Sequence, residues 1–103
     1  MDAKTLEALK ASIRKWEKNA EVKTPDDYLI DSSDCPLCDL FFHKDCDGCP
    51  VYSRTGQEMC NGTPYREAFK AWVQWGRAPE VAHEAARKEV AFLKSLLPEG
   101  ESV

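Results

Sequence analysis

The chain has 103 residues, 43% hydrophobic and 31% charged, with a net charge of −4 and five cysteines. That size and balance point to one globular domain with a modest core, to which a metal clip would add useful stability. The longest apolar runs are a few residues, which excludes a membrane-spanning helix. The first residues lack the apolar stretch of a signal peptide, so a cytoplasmic location is expected.

Leu6, Leu9, Ile13, Trp16 and Ala20 recur at steps of three and four, one face of an N-terminal helix within 1–24. Asp2 is its candidate cap, and Pro25 drives Thr24 out of helical conformation. The residues from 25 to 63 read as an irregular loop holding every cysteine. Within it, Asp39 to Lys44 suit a short helical turn and Tyr28-Leu29-Ile30 a short extended piece. Such a long stretch of little regular structure sits badly in a compact domain, unless a metal organises it.

Two further helices fill 64–98. Thr63 caps the first, Pro64 takes its first position, and Gly76 ends it. Tyr65, Ala68, Phe69, Ala71, Trp72, Val73 and Trp75 form its wide apolar arc. The last helix runs from near Pro79 to before Pro98, with small residues allowing close approach to a neighbour. Trp16, Trp72 and Trp75 are expected in the core. Glu89 falls in the apolar half of this helix, where a rim position or an arginine partner is the expected outcome. The predicted fold is therefore mainly α, about three helices around a cysteine-rich metal-binding loop.

The cysteines stand as C-x2-C-x7-C-x2-C-P-x9-C, at Cys35, Cys38, Cys46, Cys49 and Cys60. Two residues between cysteines let both sulfurs reach one metal from a tight turn, and two pairs complete a tetrahedral thiolate site. Soft thiolates select zinc or an iron–sulfur cluster over magnesium or calcium. Zinc is expected. A cysteine followed by proline, as at Cys49-Pro50, also occurs in cluster-binding runs, which keeps the iron–sulfur alternative open. Redox thiols and plain buried thiols are the other readings. Four of the five would bind, with Cys46 or Cys60 as the spare. His43 is an outside candidate whose commoner role is solvated or indirect. The start Cys35-x2-Cys38-x4-His43 matches a zinc knuckle, but the following cysteines break that spacing.

Charge is unevenly spread. Residues 1–24 carry six bases against four acids, and residues 25–60 carry eight acids against Lys44 and Arg54. The acidic centre disfavours contact with phosphates and suits a basic protein partner. The basic flank of the first helix, with Lys10, Arg14 and Lys18, is the nucleic-acid alternative. No phosphate loop, nucleophile motif or paired-carboxylate signature occurs, so no enzymatic activity is expected.

The run CPLC…CDGCPVYSRTG…CNGTPY, with Gly62-Thr63-Pro64-Tyr65 after Cys60, resembles small cysteine-rich proteins of tailed phages and their bacterial hosts. The resemblance extends to the flanking helices. It implies a role for both Cys46 and Cys60, a phage accessory protein acting on host machinery, and a place in the host cytoplasm.

Overall fold

The computed structural model describes residues 1–30, 34–41, 44–57, 60 and 62–103. Its helices are α1 (Ala3–Asn19), α2 (Pro36–Phe41), α3 (Pro50–Thr55), α4 (Pro64–Val73) and α5 (Pro79–Lys94). Among the described residues there is no strand, and no helix is long and apolar enough to cross a membrane. The chain is thus mainly α, with α1, α4 and α5 as the long helices and two short ones inside the cysteine region.

Helix α1 starts where Asp2 accepts a hydrogen bond from the Thr5 amide at 2.8 Å. Its buried stripe contains Leu9, Ile13 and Trp16, as the periodicity predicts, and also Thr5, Ser12 and Asn19. The helix ends at Asn19, before the expected stop near Pro25. The reason lies in the Asn19 side chain, which donates to the Leu29 carbonyl at 3.0 Å and accepts from the Leu29 amide at 2.9 Å. That two-way clasp turns the chain back along α1. Pro25 instead opens a short 3-10 turn, Pro25–Asp27.

The returning strap is fastened to the C-terminal helices. Tyr28 is buried with extended backbone, packs edge-on to Trp16 and Trp75, and donates its hydroxyl to the Ala82 carbonyl at 2.9 Å. Trp72 Nε1 donates to the Pro25 carbonyl, and the Tyr65 hydroxyl donates to the Ile30 carbonyl. Helix α5 packs on α4 and α1, and α1 packs on α2. Ala68 of α4 and Ala82, Ala85 and Ala86 of α5 are fully buried. Small side chains allow such close helix approach, and each methyl buried there contributes to a core of limited size.

Two expectations about the core are corrected. Phe69 and Val73 belong to the apolar arc of α4, yet they are 42% and 65% exposed. A ten-residue helix packed mainly on one neighbour buries a narrower stripe than its apolar residues would fill. Trp16 lies in the core, whereas Trp72 and Trp75 pack at its edge, half-buried.

Candidate metal centre

The cysteine region folds as two helical turns joined by tight bends. Cys35 immediately precedes α2, and its carbonyl accepts from the Asp39 amide at 3.0 Å. Cys38 lies in the first turn of α2 and donates its amide to Cys35 Sγ at 3.1 Å. The α2 turn begins at Pro36, earlier than the expected Asp39. Cys46 bends the chain back, its amide reaching the Phe41 carbonyl and its own carbonyl accepting from Cys49. Cys49 then caps α3, with Pro50 at the first helical position and Gly56 closing the helix in left-handed conformation. Cys60 is joined to the start of α4: Thr63 Oγ1 donates to the Cys60 carbonyl at 2.7 Å and accepts from the Tyr65 amide at 3.1 Å.

Backbone strain falls on this region. Among the described residues, Asp45, Cys46 and Cys60 are the non-glycine residues with positive φ, at 54°, 66° and 59°. For an L-residue that conformation costs roughly 1–2 kcal/mol, and such outliers concentrate where a site over-determines the backbone. Two of the three are cysteines of the candidate centre.

All five cysteines are free thiols. All five line one cavity of about 170 Å³ between the cysteine region, α1, α4 and α5. Cys49 is buried, and the other four are partly buried. The sequence pattern therefore brings its predicted ligands to one place. His43 lies outside the described residues, as does Asp31 of the acidic centre.

Polar groups that the spacing did not mark also reach the cavity: Ser12 and Lys15 from α1, Arg66 from α4 and Glu89 from α5. Lys15 Nζ lies 5.0 Å over the Trp16 ring as well. The expectation for Glu89 is corrected, because it sits at 3% exposure with no arginine partner. It belongs to the buried stripe of α5, so its carboxyl is carried inward with Ala85, Ala86 and Leu93. Its Oε2 and the Ser12 hydroxyl are buried without a hydrogen-bond partner among the described residues.

The electrostatics separate the thiols. A side-chain hydrogen bond between the two thiols holds Cys35 down at about 6 and pushes Cys38 well above the ordinary thiol range. Burial raises Cys49 and pushes Cys60 up to about 12. Burial also pushes Glu89 up to about 7, against the opposing field of Lys15.

Among the described residues, no three His, Cys, Asp or Glu side chains stand close enough together to hold a single metal ion. The five thiols share one cavity. Their softness, their number and the two orphaned oxygens nevertheless fit an inorganic group in that space. No protein-family model, curated protein or solved structure matches the chain.

Proposed function

We propose that this chain is a metal–thiolate protein in which a soft metal centre, held by cysteines between Cys35 and Cys60, fixes the cysteine region onto the helical scaffold, and that the loaded domain binds a protein partner. The observation that carries the reading is the gathering of all five thiols on one cavity. A thiol that ligates metal must give up its proton, and the amide of Cys38 directed at Cys35 Sγ favours the thiolate there. Zinc is the ion suggested by the cysteine spacing. Purification of the full chain without added metal should yield zinc or iron at about one equivalent or more. Protein with no bound metal and five freely titrating thiols would refute the proposal.

The partner side rests on charge. Asp26, Asp27, Asp34, Asp39, Asp45 and Asp47 are all exposed, and none forms an ion pair among the described residues. On the basic flank, by contrast, Lys10 pairs with Glu101 and Arg14 with Glu7. The free acidic surface favours a basic protein partner over nucleic acid, and the resemblance to phage proteins points to a component of host machinery. Changing Asp26, Asp27, Asp45 and Asp47 together to Asn should weaken capture of that partner, most at low salt, while metal content is retained. Loss of DNA or RNA binding on neutralising Lys10, Arg14 and Lys18, with the Asn variant unaffected, would instead establish the nucleic-acid reading.

A further inference from the structure

We infer that the group held by this cavity is an iron–sulfur cluster and not a single zinc ion, an inference that rests on the metal–thiolate reading above. The first argument is distance. A tetrahedral zinc site places each sulfur about 2.3 Å from the metal, so its sulfurs lie roughly 3.8 Å apart. Among the described residues, no three His, Cys, Asp or Glu side chains are placed to hold one ion in that way. A cluster binds one cysteine per iron in its four-iron form and spaces its thiolates across the width of an iron–sulfide core.

The second argument is volume. The cavity holds about 170 Å³, whereas one water needs only ~10–15 Å³ on that measure and an apolar cavity of about 150 Å³ accepts benzene. A lone ion with four collapsed thiolates would leave most of this space empty. Iron and bridging sulfides would fill it.

The third argument is the wall. Leu37, Phe41, Val51 and Leu93 give the cavity an apolar lining, which a zinc knuckle at a surface turn does not require. Such a lining keeps water from a cluster and helps to set its potential. Into this wall the fold inserts Ser12, which is 3% exposed and whose hydroxyl has no partner. A buried hydroxyl left unmatched is costly. An inorganic sulfide or a ligating thiolate on the cavity side would accept its proton donor. Ser12 is thereby assigned as a positioning residue that tunes the centre without ligating it. On binding, four of the thiols release protons and form iron–sulfur bonds, leaving one of the five as the spare.

The full chain, produced with iron supplementation and purified without oxygen, tests this. Expected are a brown protein absorbing broadly near 400 nm and equimolar iron and acid-labile sulfide, roughly two to four of each per chain. About one zinc per chain without sulfide would overturn the cluster and leave the metal–thiolate reading standing. No metal of any kind would overturn both. Ser12→Ala should keep the iron and sulfide content but shift the reduction potential to more negative values, since hydrogen bonds to the sulfurs raise it. An unchanged potential in a loaded variant would overturn the role given to Ser12.

Discussion

Asn19 is a polar residue three positions after Trp16, and the structure buries it to 1% exposure. Its amide both donates to and accepts from the Leu29 backbone, at 3.0 and 2.9 Å. Asn19→Ala removes both bonds and leaves one backbone carbonyl and one amide to find water. A typical hydrogen bond contributes about 1 kcal/mol net, and an orphaned buried group costs about 1–3 kcal/mol. Because the site is only partly shielded, a total loss of about 2–3 kcal/mol is expected. For a domain of this length that corresponds to a fall in melting temperature of about 10–20 °C. Urea titration followed by tryptophan fluorescence measures it, since Trp16 and Trp75 both contact Tyr28 on the same strap. Asn19→Asp supplies the sharper control. It keeps the acceptor for the Leu29 amide but turns a carboxylate toward the Leu29 carbonyl. Its cost should therefore shrink at low pH, where a protonated carboxyl donates again. A loss under about 0.5 kcal/mol in the alanine variant, or a pH-independent cost in the aspartate variant, would refute the clasp.

Burial holds Glu89 near 7 against an ordinary value of 4.5, so between these pH values the folded chain keeps a proton that the unfolded chain has lost. Metal-free protein should accordingly be most stable below about pH 4.5 with respect to this group and lose about 3 kcal/mol by pH 7. Glu89→Gln should flatten that difference between paired urea titrations, and an unchanged pH slope would argue against it. Thr63→Ala removes both the cap on the Tyr65 amide and the bond to the Cys60 carbonyl; it should cost about 1–2 kcal/mol and weaken metal retention in chelator competition. Ala85→Leu would push a larger side chain into a fully buried position. Overpacking there should destabilise by about 1–3 kcal/mol, read as a shifted denaturation midpoint.

The parts of this fold governed by local rules were legible in the sequence. Asp2 caps α1, Thr63 with Pro64 opens α4, and Pro79 opens α5, because each satisfies or pre-sets backbone geometry within one turn. Helix α3 carried the same signals, with Pro50 first and Gly56 just past its end. The competing reading of Cys49-Pro50 as a ligand step concealed it. Burial of Asn19, Ser12 and Glu89 depends on partners far along the chain, and polarity alone places such residues outside. The spacing points to a shared site for four of the five cysteines. That all five line one cavity together with Ser12, Lys15 and Glu89 depends on long-range packing that no local pattern encodes.

That dependence links the centre to the scaffold. Ser12 and Lys15 reach the cavity from α1 and Glu89 from α5, the two helices whose packing orders the molecule. Ser12 and Glu89 contribute two buried oxygens without hydrogen-bond partners among the described residues, each costing about 1–3 kcal/mol. Strain at Cys46 and Cys60 adds to that burden. A group that bonded to the thiols and accepted from the Ser12 hydroxyl would remove that hydroxyl's penalty only in the folded state, so its binding energy would become folding energy. The exposed acidic residues at Asp39, Asp45 and Asp47 lie on the same segments that carry Cys35, Cys38, Cys46 and Cys49. On the proposed reading, loading the centre would also fix the surface that meets a partner, and partner binding should then depend on metal content.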